Sequence, residues 1–164
     1  MKYINAEVVF REVPGKITLA INISGCPNRC PGCHSPWLWE GKGTLLDEKE
    51  LLSLVERHKG INCVAYMGGD AEPEEIERLS GFLFDMYPSL QQCWYSGRDT
   101  EELKSLEEAG HLDFLDYIKL GPYIAARGPL DNPNTNQRMY SISSSNDGKT
   151  VKLLFEDITK QFWK

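Results

Sequence analysis

Three cysteines fall within eight residues, Cys26, Cys30 and Cys33, in the segment Gly25-Cys26-Pro27-Asn28-Arg29-Cys30-Pro31-Gly32-Cys33-His34. Thiolates are soft ligands suited to iron–sulfur clusters and to zinc. Three of them on one short loop can hold three irons of a four-iron cube and leave the fourth iron without a cysteine. A catalytic metal site keeps such an open position and a structural one closes it. Pro27, Pro31 and Gly32 suit a loop that bends around a bulky inorganic core. The competing reading is a non-enzymatic, structural zinc module on Cys26, Cys30, Cys33 and His34. Adjacent Cys33 and His34 fit one tetrahedral ion badly, and a fourth ligand from Cys63 or Cys93 would come from another strand. The iron–sulfur reading is therefore preferred. Cys63 and Cys93 lie in apolar segments and read as small core residues. A cluster of cysteines in a chain with an odd total of five is not a disulfide framework.

The segments around the cysteines say how they are held. Residues 17–23 (ITLAINI) alternate apolar with small or polar side chains and predict a strand running straight into the cysteine segment. Asp47 with Glu50 makes a capping-box pattern. It opens a helix whose apolar stripe is Leu51, Leu52, Leu54 and Val55 and which stops at Lys59-Gly60. Residues 61–67 predict the next strand, ending in Gly68-Gly69-Asp70. Pro73 opens a second helix with Ile76, Leu79, Leu83 and Met86 on one face, closed by Pro88. Residues 92–95 are a short strand before Ser96-Gly97-Arg98. Asp99 with Glu102 caps a third helix ending near Gly110, and residues 114–120 are a further strand ending at Gly121-Pro122. Residues 128–137, rich in Pro, Asn and Gly, read as an ordered loop or partner surface. Residues 140–144, an Asn146-Asp147-Gly148 turn and residues 151–155 read as a hairpin.

Alternating strands and helices predict βα units around a mainly parallel sheet. Eight such units need ~250 residues, so 164 residues leave room for roughly half of them. The expectation is an α/β fold built as an open, curved partial (βα) barrel. It forms a single domain over 1–164, with its core at about 17–120 and a tail loop and hairpin in 121–164. In parallel sheets chemistry gathers at the carboxyl ends of the strands. Segments 26–33, 68–70 and 95–97 should therefore converge on one rim. By itself Gly68-Gly69-Asp70 after a strand reads as an ordinary turn; it gains weight only beside the cysteine loop. With 41% hydrophobic and 26% charged residues, composition excludes a disordered, collagen-like or membrane-spanning chain. The net charge of 18 − 24 = −6 argues against nucleic acid as a partner, since non-specific binding needs a basic surface. The first seven residues hold no apolar signal core, and the expectation is a cytoplasmic protein.

The spacing C-x3-C-x2-C with a later Gly-Gly-acidic triplet resembles the radical S-adenosylmethionine superfamily. Within it, residues 23–34, Met67-Gly68-Gly69-Asp70, Trp94-Tyr95-Ser96-Gly97 and the stretch from Gly121-Pro122-Tyr123 to Asn136-Gln137-Arg138 resemble the anaerobic ribonucleoside-triphosphate reductase activating proteins. The resemblance implies a radical-SAM type of barrel and one [4Fe-4S] cluster on Cys26, Cys30 and Cys33. It also implies S-adenosyl-L-methionine on the open iron, with reduced flavodoxin or a similar donor supplying the electron. Reductive cleavage would give methionine and a 5′-deoxyadenosyl radical, which takes a hydrogen atom from a glycine of the partner reductase. Gly32, Cys33 and His34 would pass the adenine, Gly68 and Gly69 would let the chain approach the methionine end, and Asp70 would accept from its ammonium group. Ser96 is a further candidate from its place at a strand end. His34 stands where many relatives carry an aromatic residue, and Asp70 where glutamate is commoner. An activase of another glycyl-radical enzyme, of the pyruvate formate-lyase type, is the alternative enzyme reading; those relatives are longer and lack this tail.

Overall fold

The Pro14-Gly15 turn folds the chain back on itself, so that strands β1 (Lys2–Val9) and β2 (Thr18–Ile23) pair antiparallel. In the computed structural model residues 1–146 and 151–163 are described. After β2 come the cysteine loop, a short 3-10 turn at Pro36–Leu38 and β3 (Thr44–Leu45), which pairs with the start of β1. Helix α1 (Glu48–Arg57) opens at the expected cap, with Asp47 Oδ1 accepting from the Glu50 N–H at 2.8 Å. Strand β4 (Cys63–Met67) and helix α2 (Pro73–Met86) follow. Ile76, Leu79 and Leu83 of α2 are buried, whereas Met86, on its last turn, is 48% exposed. Strand β5 (Gln91–Tyr95) leads to a 3-10 turn at Thr100–Glu102 that runs into helix α3 (Leu103–Glu108). There Glu102 Oε1 accepts from the Asp99 N–H at 3.2 Å. Strands β6 (Tyr117–Leu120), β7 (Arg138–Asn146) and β8 (Val151–Asp157) complete the chain with a 3-10 turn at Thr159–Phe162. Beyond Asn146 the expected Asn146-Asp147-Gly148 turn lies outside the described residues.

One eight-stranded sheet holds these strands in the order β3-β1-β2-β4-β5-β6-β7-β8. Three pairings are parallel (β2–β4, β4–β5, β5–β6) and four are antiparallel (β1–β2, β1–β3, β6–β7, β7–β8). The expectation of a partial (βα) barrel of radical-SAM type with a mainly parallel sheet is therefore corrected: the sheet is mixed, with three short helices among the described residues. The reason is in the connections. A parallel neighbour needs a crossover, usually helical, and a tight turn gives an antiparallel one. Only the middle of the chain supplies crossovers. The Pro14-Gly15 turn, the helix-free stretch from β6 to β7 and the β7–β8 pair add antiparallel strands on both flanks. Among the described residues no helix is long and apolar enough to cross a membrane.

Alternation along the central strands gives the sheet two different faces. Leu19, Ile21, Ile23, Val64, Tyr66, Trp94, Ile118 and Leu120 pack under the helices with Leu51, Leu54, Ile76, Leu79 and Leu83. The opposite face carries small residues, Cys63, Ala65 and Cys93, covered by Val13, Leu130, Met139 and Ile158. Buried Gln92 is the polar exception on the helix side. Its Nε2 donates to the carbonyls of Ser80 (2.8 Å) and Phe114 (3.1 Å), and its Oε1 accepts from the Tyr66 hydroxyl (2.9 Å). It thereby clamps α2 and the segment before β6 onto β5. Replacing it by an apolar residue of similar size leaves buried partners unmatched, at about 1–3 kcal/mol for each orphaned group. Gln92→Leu is expected to lower the unfolding free energy by about 3 kcal/mol, read as a fall in the urea midpoint at unchanged slope.

Candidate metal centre

The loop after β2 is shaped by its own backbone. The chain enters the left-handed region at Gly25, Arg29 and Gly32 (φ 80°, 43° and 74°). The Cys26 N–H donates to the Leu38 carbonyl at 3.0 Å and closes the loop at its base; the Cys33 N–H donates to the Cys30 carbonyl at 3.0 Å. Cys26, Cys30 and Cys33 are free and half-buried. The Ser35 N–H donates to Cys33 Sγ at 3.3 Å. Hydrogen bonds of this kind to cysteine sulfur are among the means by which proteins tune iron–sulfur sites. The His34 ring lies against Tyr123, 4.7 Å between centroids and tilted by 47°. A side chain at Gly32 would face Ala125 and Tyr123 at 3.5 and 3.7 Å. The second half of the loop is therefore seated on the segment that follows β6.

These residues fit a four-iron cluster in their donor set: three accessible thiols on one loop, unpaired with each other, one of them already accepting an N–H. Among the described residues no three His, Cys, Asp or Glu side chains gather around a single ion position. A cube takes each thiolate on a different iron, so its ligands need not converge on one point. The other two cysteines are of a different kind. Burial pushes the Cys63 thiol up to about 12 and the Cys93 thiol upward as well, which disfavours the thiolate that binds metal.

Asp70, 6% exposed, ties the segments at the strand ends together. Its Oδ1 accepts from Ser96 Oγ at 2.6 Å; its Oδ2 accepts from the Gly97 N–H at 2.8 Å and from Asn28 Nδ2 at 2.5 Å. Arg98 Nη2 donates to the Asp70 carbonyl at 3.1 Å, and Trp94 Nε1 to the Gly68 carbonyl at 2.7 Å. Segments 26–33, 68–70 and 95–97 thus meet through one carboxyl group. Gly68 and Gly69 are left-handed (φ 106° and 93°), and a side chain at Gly69 would run into Ile76 Cδ1 at 2.7 Å. The bare backbone at Gly69 lets helix α2 come close to the end of β4.

A cavity of about 810 Å³ opens beside the loop on the small-residue face. Cys33 and His34 reach it from the loop, Met67, Tyr95 and Lys119 from the strands, and Leu130, Gln137 and Phe162 from the tail. The Tyr95 hydroxyl donates to the Glu12 carbonyl and fixes the β1–β2 connection at the rim. Asp70 borders instead a smaller cleft of about 370 Å³, with Pro27, Asn28, Gly97 and Arg98. Ser96 is buried in its bond to Asp70.

Lys119 is the residue that sequence reasoning missed, because its segment reads as an ordinary strand. A lysine alternating with Ile118 and Leu120 on a buried strand was the available signal. Its Nζ donates to the carbonyls of Gly121 (2.7 Å) and Ser96 (3.3 Å). Burial pushes its pKa down to about 8, against the opposing pull of Asp70 and the three loop cysteines. An unfolded lysine titrates near 10.4, so between these values the unfolded chain binds the extra proton. The contribution of Lys119 is thus full above the unfolded pKa and lost as pH falls through about 8. Relative to Lys119→Met, the wild-type chain is expected to gain up to about 3 kcal/mol between pH 8 and 10.5, measured by urea unfolding of the metal-free proteins.

A family model described as a 4Fe-4S single cluster domain matches residues 14–147. No match was found among curated proteins or among solved structures. The matched span covers most of the chain and includes the cysteine loop, the Asp70 junction and Lys119. On that match the chain belongs to the 4Fe-4S single cluster domain family.

Proposed function

We propose that this protein activates an anaerobic ribonucleoside-triphosphate reductase by forming a glycyl radical on it. When bound, the cluster on Cys26, Cys30 and Cys33, reduced by flavodoxin or a similar donor, supplies the electron that cleaves S-adenosyl-L-methionine. The observation that carries the reading is the 810 Å³ cavity with Cys33 at its edge. It lies at the carboxyl ends of the parallel strands, where such sheets place their chemistry, and is roomy enough for a ligand of cofactor size.

The chain's own residues have definite tasks in this scheme. His34 and Tyr123 hold the last cysteine at the cavity edge. Lys119 places a cationic group on the wall facing an anionic cluster or a carboxylate. Met67, Tyr95 and Phe162 exclude water, which a radical intermediate requires. Asn136 and Arg138 act within the fold. Asn136 Nδ2 donates to the Pro122 carbonyl at 2.8 Å, and Arg138 Nη1 to the carbonyls of Thr135 (2.8 Å) and Gln137 (2.7 Å). In the 128–138 loop the side chains left for a partner are exposed ones away from the cavity, among them Pro133 and Asn134.

Anaerobic reconstitution is expected to give a brown four-iron protein. Cys26→Ala, Cys30→Ala and Cys33→Ala should each lose most of the iron, and Cys63→Ala and Cys93→Ala should retain it. With S-adenosyl-L-methionine, a reductant and the reductase, electron paramagnetic resonance should show a glycyl radical and chromatography 5′-deoxyadenosine. A four-iron protein yielding neither product would refute the activase reading and leave the cluster assignment standing. Pro133→Ala with Asn134→Ala is expected to lower the radical yield on the reductase several-fold while 5′-deoxyadenosine formation with an artificial donor persists.

A further inference from the structure

We infer that Asn28 is a positioning residue for the cluster, acting as a latch that fixes the cysteine loop to the strand ends through Asp70 and Gly97. The inference rests on the loop as the cluster site. Asn28 sits midway between Cys26 and Cys30, at the outward tip of the loop, where the backbone is exposed and turns through left-handed Arg29. Nothing at that tip is buried enough to hold it by packing. Its amide reaches back across 42 residues of sequence to Asp70 Oδ2 at 2.5 Å. Asp70 is itself immobilised by Ser96 and by the Gly97 N–H.

A second, independent observation comes from Gly97. This glycine is not in the left-handed region, so its backbone does not call for glycine. A Cβ built there would lie 3.0 Å from Asn28 Cγ and closer still to its Nδ2. The missing side chain is the space that the Asn28 amide occupies. One side of the amide is thus held by a carboxyl group and the other by a steric slot, and both holders lie at the ends of central parallel strands. The latch fixes the first half of the loop, as the His34–Tyr123 contact fixes the second. The spacing between Cys26, Cys30 and Cys33 is thereby set before metal arrives, which is how a metal site is made precise.

The test is a double-mutant cycle on the full-length chain. Asn28→Ala removes the donor, and Gly97→Ala evicts it. Amide hydrogen exchange of the metal-free protein reads the loop directly. Both single variants should speed exchange at Cys26 and Cys33, whose amides donate to the Leu38 and Cys30 carbonyls, about tenfold, as expected for loss of one hydrogen bond to a charged group. Amides of β4 should keep their wild-type rates. The double variant should be no faster than either single, because the methyl group added at position 97 then has nothing left to displace. In the reconstituted protein, iron release to a chelator should accelerate several-fold in the same three variants. Wild-type exchange and iron release in Asn28→Ala would overturn the latch, as would a double variant whose effect is the product of the singles. Faster exchange throughout β4 would also overturn it, by assigning the change to global stability. If the wild-type chain took up no four-iron cluster, the role toward the cluster would fall, while the exchange cycle would still decide whether Asn28 restrains the loop.

Discussion

A single buried carboxyl group holds the strand-end rim together, and its position follows from strand register. The parallel pairings set Asn22 beside Met67, Met67 beside Tyr95 and Tyr95 beside Lys119. Four strands therefore end at one level, and whatever follows each is delivered to the same rim. Asp70, three residues past Met67 on a central strand, has the cysteine loop on one side and Ser96-Gly97 on the other. Three donors from two segments occupy most of its acceptor positions, two on Oδ2 and one on Oδ1. Hydrogen bonds to a charged acceptor are roughly twice as strong as neutral ones. A side chain engaged in this way ties the cysteine loop to the end of the neighbouring strand.

The same rim explains why a buried lysine is tolerated. Taking an ammonium out of water is costly, and the lowered pKa of Lys119 records that cost. Two carbonyls satisfy part of its donor capacity. Asp70 favours the charged form, and so does each loop cysteine in its thiolate form. Binding a cluster would hold the cysteines as thiolates and so secure that pull, since a thiol carries no charge. The lysine is thus least favourable in the metal-free chain and becomes better matched as anionic ligands gather beside it. Net charge and hydrogen bonding around the sulfurs are the levers that set a cluster's potential, and a cluster held on this loop would meet one of each in Lys119 and the Ser35 N–H.

Much of this is legible in the sequence, and what is not has definite causes. Local signals suffice where they are strong: Asp47 and Glu50 cap α1, Pro73 opens α2, and the cysteine spacing marks the loop. The antiparallel flanks are not legible. The alternation of the middle invites extension outward, whereas β1 and the two-residue β3 carry little pattern of their own. Contacts between distant residues are hidden too. Asn28 and Asp70 are 42 residues apart, and Ser96 and Asp70 are 26 apart. Gly69 and Gly97 show the limit clearly. Both stand at strand ends, and no local pattern announces that a side chain at the first would meet Ile76 and one at the second Asn28.

The tail has a structural part in the cavity that its composition does not announce. The face opposite the helices is lined at its base by Cys63, Ala65 and Cys93, too small to close it themselves. Met139 begins the cover: its N–H donates to Thr159 Oγ1 and its carbonyl accepts from the Ile158 N–H, both at 2.9 Å. These bonds bring the end of the chain back across the sheet after β8, laying Ile158 over the base and Phe162 along the wall. Leu130 reaches the same base from the 128–138 loop, which Asn136 and Gln137 pin to the Pro122 and Gly121 carbonyls. Small strand residues leave room for this cover, and the antiparallel return through β7 and β8 brings Phe162 to the cavity wall. The mixed sheet therefore supplies both borders of the cavity: its parallel strands bring Met67, Tyr95 and Lys119, and the tail after β6 and β8 brings Leu130 and Phe162.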